Sequence, residues 1–169
     1  ISSLLAYILS DNLIDCSAFL GGIATDFDSN LRIGSADVAV VEADEFDRSF
    51  LKLSPNWAII SSMDADHLDI YGTAHHLEES FRLFSDMVED GNLIVKEGLD
   101  MPSKYTYALG SDTADFSAKN IRVEGGAYYF DLVYPKGICE NVITGLPGIH
   151  NVENALAAFS MAYIQGLSV

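Results

Sequence analysis

Basic residues are scarce in this sequence of 169 residues. Nine lysines and arginines stand against 25 aspartates and glutamates, a formal net charge of −16. A nucleic-acid backbone demands a Lys- and Arg-rich surface, so that class of partner is excluded. The same deficit is odd for a protein that binds a nucleotide, where metal ions and further segments would have to supply positive charge. Cysteine is nearly absent. Cys16 and Cys139 are too few for a disulfide framework, and a reduced cytoplasm is the default location. No apolar run approaches the roughly 20 residues that cross a bilayer, and no signal peptide is visible, so no membrane partner is expected. Internal repeats and low-complexity segments are missing too. No G-x-x-x-x-G-K-[ST] loop occurs, so no γ-phosphate cradle is evident. The first residue is Ile1, inside a helical pattern with no cap before it, which reads as an excised fragment.

What is present is an ordinary globular composition, 49% hydrophobic and 20% charged, long enough for one domain with a sizeable core. Ile1, Leu4, Leu5, Ile8 and Leu9 share a face of a helix over residues 1 to about 13. Residues 18–23 read as a short strand closing on Gly21-Gly22, where backbone can approach a ligand, and residues 24–36 as mostly polar loop. Residues 38–41 and 57–62 are apolar strands. Phe50, Leu51 and Leu53 predict a short packed helical turn between them. Leu77, Phe81, Phe84 and Val88, at steps of four, three and four, predict a helix over residues 75 to about 89. Short strands follow at residues 92–96 and 105–109. Alternating strands and helices predict a mainly parallel sheet flanked by helices. From about 115 to 146, three strand-like runs split by Gly125-Gly126 and Pro135-Lys136-Gly137 predict a small antiparallel subdomain. A final helix over about 151–165 faces the core with Val152, Ala155, Leu156 and Phe159.

Three constellations carry chemistry. Both central strands empty into carboxylates: Glu42, Asp44, Glu45 and Asp47 after the first, and Asp64, Asp66, His67 and Asp69 after the second. Ligands collect at the carboxyl ends of strands in open α/β sheets, and hard oxygen ligands suit Mg²⁺ beside a phosphate. A solvated acidic loop explains either cluster alone about as well; two on successive strand ends favour the metal. His67 among acids can ligate through a neutral imidazole, or simply pair with Asp66 or Asp69. His75-His76 reads as the solvated start of a helix. The third constellation is Pro147-Gly148-Ile149-His150-Asn151 with Asn154. Two asparagines three apart can read a purine edge, although spacing alone favours a helix cap followed by a surface residue.

In combination, VVEADEFDRSFLKLSP, AIISSMDADHLDIYG and LPGIHNVENALAA resemble the central ATP-binding domain of the Mur ligases, within it most closely the branch that adds L-alanine. The resemblance covers most of the chain. It is strong over residues 37–72 and 145–158, moderate over 1–23 and weak over 98–144. It implies a P-loop NTPase-like α/β domain over residues 1–169, with the phosphate loop lying just before the first helix and separate N- and C-terminal domains outside this chain. By position, Glu42 matches the family's Mg²⁺-binding Glu and His67 the His of its D-H-x-D motif, at a second metal. His150, Asn151 and Asn154 match the adenine side, and Gly21-Gly22 the acceptor-substrate side. Ser62 stands where many relatives have Asn, which puts a substrate contact in question, and Ile149 stands where Arg is frequent. No Lys occurs between Leu53 and Val95, so the carbamylated Lys of several sister ligases has no counterpart, as in the alanine-adding branch.

The expected function is therefore an ATP- and Mg²⁺-dependent ligase that joins L-alanine to UDP-N-acetylmuramate through an acyl phosphate, in peptidoglycan precursor synthesis. Glu42 and His67 are the expected catalytic and metal residues. The alternatives are a murein-peptide recycling ligase using the same nucleotide sugar, a catalytically inert binding module, and, more remotely, a metal-dependent phosphohydrolase built on the D-x-D-H-x-D cluster.

Overall fold

The computed structural model describes residues 1–64 and 68–168. The chain divides into two compact units, Ile1–Glu42 with Tyr107–Val169, and Ala43–Thr106.

The first unit opens with helix α1, Ser2–Asp11, which packs on strand β1, Ser17–Ala24, and on the last helix, α4, Ile149–Ile164. The buried face of α1 is Leu5, Ala6 and Leu9; Leu4 and Ile8 are only half-buried, so the stripe is narrower than its hydrophobic periodicity implies. Strand β1 is the centre of a three-stranded sheet, with β2 (Ser29–Arg32) antiparallel on one side and β3 (Ala39–Val41) parallel on the other.

Strand β2 corrects the reading of residues 24–36 as loop. Its two apolar neighbours, Leu31 and Ile33, are exposed, so no core-facing pattern marks it. It is held instead by Arg32, whose guanidinium donates to Asp15 Oδ1 at 2.7 Å, to the Cys16 carbonyl at 3.3 Å and to Ser10 Oγ. Nor does β1 stop at the glycine pair. It continues through Gly21-Gly22 as a bulge, because Phe19 pairs with Leu31 and Ala24 with Ser29, leaving residues 20–23 opposite Asn30 alone. Bulges recur next to active sites because they re-aim the chain.

The same unit holds the antiparallel meander. Strand β6, Tyr105–Leu109, whose last three residues lie in this unit, pairs in parallel with β7, Phe116–Glu124. Strands β8 (Ala127–Tyr134) and β9 (Gly137–Thr144) follow antiparallel. Gly125 and Gly126, at φ 57° and 85°, make the first hairpin, a two-residue turn needing left-handed backbone at both positions. Two bulges face each other across β8. Asn120 and Ile121 oppose Phe130, and Glu140 and Asn141 oppose Asp131. Asn120 and Asn141 adopt φ 49° and 59°, and the Asp131 carboxylate ties both bulges, accepting from Asn120 Nδ2 at 2.6 Å and from the Asn141 amide at 3.0 Å. Helix α4 covers the meander through Phe159 and Tyr163, which meet Phe116 and Tyr134 edge to face with centroids 5.1–6.4 Å apart. Phe159 itself is half-buried, and the fully covered face is Val152, Leu156 and Ala157.

The second unit is a βαβ crossover. Strand β4, Ala58–Ile60, pairs in parallel with β5, Leu93–Lys96. Between them run the short α2, Leu68–Tyr71, and α3, Ala74–Met87, capped by Thr73 Oγ1 accepting from the His76 amide. Phe50, on a single 3-10 turn at Ser49–Lys52, is the hub of this core. Its ring lies 5.1 Å from that of Phe84 and 5.6 Å from that of Phe81, with Ile60, Val88, Leu93 and Val95 around it. In the first unit the order of the meander is β6-β7-β8-β9. The fold is mixed α/β, with parallel pairs β1·β3, β4·β5 and β6·β7 and antiparallel pairs where hairpins connect the strands.

The hydrogen bonds that Asp131 accepts, from Asn120 first and then from Asn141, hold its carboxyl below the usual carboxylate range. A depressed folded-state pKa contributes stability above the unfolded value and loses it as pH falls through the folded one. Asp131→Ala is expected to melt at lower temperature than the parent at pH 7, with the gap closing below about pH 4. Thermal melts of both proteins across that range check it.

Candidate active site

In the first unit, the carboxyl end of β3 meets the bulge of β1. The Glu42 amide donates to the Phe19 carbonyl at 2.8 Å, prolonging the parallel ladder by one residue and fixing the backbone of Glu42. Its side chain then lies across Gly21. A β-carbon at Gly21 would stand 3.0 Å from Glu42 Cδ and closer still to Oε1, so the glycine is the space the carboxylate occupies. The backbone of Gly21 is not left-handed; the need for glycine is steric. At Gly22, by contrast, a β-carbon meets nothing. The Glu42 carboxylate makes no hydrogen bond with any described residue.

The first turn of α4 is the other feature of this unit. Gly148 is its N-cap at φ 102°, and no side chain caps it. The His150 imidazole folds back over Gly148, with Nδ1 2.9 Å from where a β-carbon would sit. Asn151 Nδ2 donates to the Pro147 carbonyl at 2.6 Å and its amide to the Gly148 carbonyl at 3.0 Å. Asn151 is thus not the cap that spacing suggested. One end of its side chain closes the Pro-Gly turn, while Oδ1 is left to accept. The side chain of Asn154, half-buried one turn on, makes no hydrogen bond with a described residue.

In the second unit, the acids of residues 43–48 are bound mostly to their own backbone. Asp44 Oδ1 accepts from the Phe46 amide at 2.8 Å, and Asp47 Oδ1 from the Ser49 amide at 2.9 Å. The Ser49 hydroxyl and amide hold the Asp47 carboxyl below its ordinary value. After β4, Ser62 Oγ donates to Asp64 Oδ2 at 2.6 Å and accepts from the Asp64 amide at 2.9 Å. The Ser62 proton is therefore spent within the loop, and its oxygen orients Asp64. Between these segments lies a cleft of about 280 Å³, floored by Phe50, Phe81 and Phe84 and walled by Glu45 on one side and Ser62 with Asp64 on the other. Spacing did not single out this cleft, because its floor reads as ordinary core.

Asp66 and His67 lie outside the described residues, as does the side chain of Asp69. Among the described residues, no group of three or more His, Cys, Asp or Glu side chains stands close enough to hold a metal ion.

Residues 25–162 match the family model described as the Mur ligase middle domain. The chain belongs to the Mur ligase family. Among curated Mur ligases, the UDP-N-acetylmuramate–L-alanine ligase of Christiangramia forsetii is 51% identical over 99% of this chain, and that of Parabacteroides distasonis 44% identical over 98%. The chain spans 37% and 38% of those two proteins. Among solved Mur ligase structures, the UDP-N-acetylmuramate–alanine ligase of Thermotoga maritima superposes with a TM-score of 0.83 at 22% identity, over 99% of this chain and 39% of that one. A Neisseria meningitidis ligase that joins UDP-N-acetylmuramate to a tripeptide gives 0.80 at 20% identity, over 98% of this chain and 58% of that one. At such identities the structures speak for the fold alone.

Gly21→Ala tests the packing of Glu42. The obstruction is the end of a flexible side chain, so stability is expected to change by less than about 1 kcal/mol while the Glu42 carboxylate swings off the bulge. A crystal structure and a melting curve of the variant check both halves.

Proposed function

We propose that this chain is the central domain of an ATP-dependent ligase that joins L-alanine to UDP-N-acetylmuramate in peptidoglycan precursor synthesis. The observation that carries the reading is the 51% identity to a ligase of that name, sustained over nearly the whole chain. A Mur ligase neighbour solved with ADP, at a TM-score of 0.72, supports adenine nucleotide as the second ligand class. Both cysteines are unpaired, which supports a reducing compartment, the cytoplasm.

The chemistry follows from the acceptor. A free carboxylate is a poor electrophile toward an amine, so the lactyl carboxylate is first phosphorylated by the γ-phosphoryl group of ATP. The amine of L-alanine then attacks the acyl phosphate, forming the amide and releasing phosphate. A bound Mg²⁺ supplies neutralisation of phosphate oxygens during the transfer. Glu42 fits that ion: a hard oxygen donor at a strand end with no competing hydrogen bond among the described residues, suited to a cation that keeps several waters. His67 would hold a second metal. His150, the free Oδ1 of Asn151 and Asn154 would receive adenine, and the Gly21-Gly22 bulge and Ser62 would border the acceptor substrate. The phosphate loop and the closing domain would come from the parts of the relatives that this chain does not span.

The test uses the full-length protein and follows phosphate release from ATP with UDP-N-acetylmuramate against L-alanine, glycine, L-serine and a tripeptide. Release that depends on L-alanine is expected; release with the tripeptide alone would assign the chain to murein-peptide recycling instead. Glu42→Ala and His67→Ala are each expected to lower turnover on the order of a hundredfold or more with little change in melting temperature. Wild-type turnover in both variants would remove the metal assignment.

A further inference from the structure

We propose that Tyr71 and Arg48 form a latch that positions the acidic loop of residues 43–48 against the cleft, and that Tyr71 is a positioning residue for substrate binding there. The proposal rests on the functional reading above. The phenol of Tyr71, at the end of α2, donates to the Glu45 carbonyl. That bond joins the helix following the D-A-D-H segment to the loop whose Ala43 and Glu45 line one wall of the cleft. The Tyr71 ring is only 2% exposed, and the Tyr71 carbonyl lies 2.9 Å from His76 Nδ1, so the donor is anchored at both ends.

Arg48 completes the latch. Its guanidinium carbon lies 5.0 Å above the centre of the Tyr71 ring. Its backbone is left-handed at φ 60° and ψ 21°, a conformation that a long side chain enters only when its surroundings impose it. Three acids within four residues would ordinarily draw this cation into ion pairs. It makes none with a described residue, and Asp44 and Asp47 accept from backbone amides. The guanidinium is left free to lie on the ring, an attraction of the cation–π kind.

Within the loop, the Arg48 amide donates to the same Glu45 carbonyl at 3.0 Å. The Phe50 amide and Ser49 Oγ both donate to the Asp44 carbonyl, at 3.2 and 3.1 Å. Removing the phenolic donor takes away the tie from α2 to residue 45 while leaving the aromatic core around Phe50 in place. A residue that only stabilised the fold would lower the melting temperature and leave substrate affinity alone. A latch changes KM.

The experiment compares full-length wild type with Tyr71→Phe, which keeps the ring for Arg48, and Arg48→Ala with Arg48→Lys. Two readouts are taken: KM and kcat for UDP-N-acetylmuramate, and amide hydrogen exchange over residues 43–50. Tyr71→Phe is expected to raise KM by about tenfold with a smaller change in kcat, the scale of one lost hydrogen bond, and to speed exchange in the loop. Arg48→Ala is expected to do the same, with Arg48→Lys in between. Unchanged exchange in Tyr71→Phe would overturn the latch. Faster exchange with unchanged KM would overturn its role in binding. If the wild-type protein shows no ligase activity, the functional reading fails together with the binding role, and the exchange data alone decide whether the latch exists.

Discussion

With 25 carboxylates and nine cations, most acids in this chain cannot find a cation, and the fold is shaped by where their oxygens go. The answer recurs: they accept from backbone amides and from small polar side chains close by. Asp15 accepts from the amide and hydroxyl of Ser35, and this, more than the nearby Arg32, holds its carboxyl below the ordinary value. Asp44 and Asp47 each accept from the amide two residues on, Asp64 from its own amide's partner Ser62, and Asp131 from Asn120 and Asn141. A carboxylate bound this way stiffens the turn that carries it. Asp15 ties the return of β2 to the end of α1, and Asp131 holds two bulges in register with one side chain.

Against that pattern Glu42 stands apart. It sits on the last backbone bond of the β1–β3 ladder, across a glycine that has no other evident reason to be one, with no hydrogen bond from its carboxylate to a described residue. Density of charge drew attention to residues 42–47 as a group, but density does not distinguish a ligand from a turn. Hydrogen bonding does. Asp44 and Asp47 are spent on turns, Glu45 faces the cleft, and Glu42 alone is presented by a sheet edge with room cleared for it.

The strands and helices that bury a periodic face were legible in the sequence. Leu77 and Phe84 announce α3, and the two hairpin breaks announce the meander. What escaped notice was held by polar contacts. Strand β2 turns its apolar residues outward and is secured by Arg32, so hydrophobic periodicity passes over it. The bulges at Asn120 and Asn141 depend on left-handed asparagines that look like any surface polar residue until Asp131 is seen between them. The cleft walls were equally hidden, since Ser62 reads as a weak substrate contact and its bond to Asp64 depends on a turn that no spacing rule specifies. In the sequence Tyr71 is one more letter of the run that ends in Gly72, although its hydroxyl is the bond that reaches back to residue 45.

A single presented carboxylate also says something about how a metal would be held. Mg²⁺ dehydrates reluctantly and takes one or two protein carboxylates together with substrate phosphates, whereas a standing structural ion requires several protein ligands. On the proposed reading, Glu42 suits an ion that arrives with a triphosphate and leaves with it. That arrangement also eases the charge problem. A chain at −16 repels a bare nucleotide, but the magnesium complex carries two fewer negative charges, and the ion meets a carboxylate that nothing else neutralises. On the proposed reading, the ligand's own counterion offsets part of the repulsion that this acidic chain exerts.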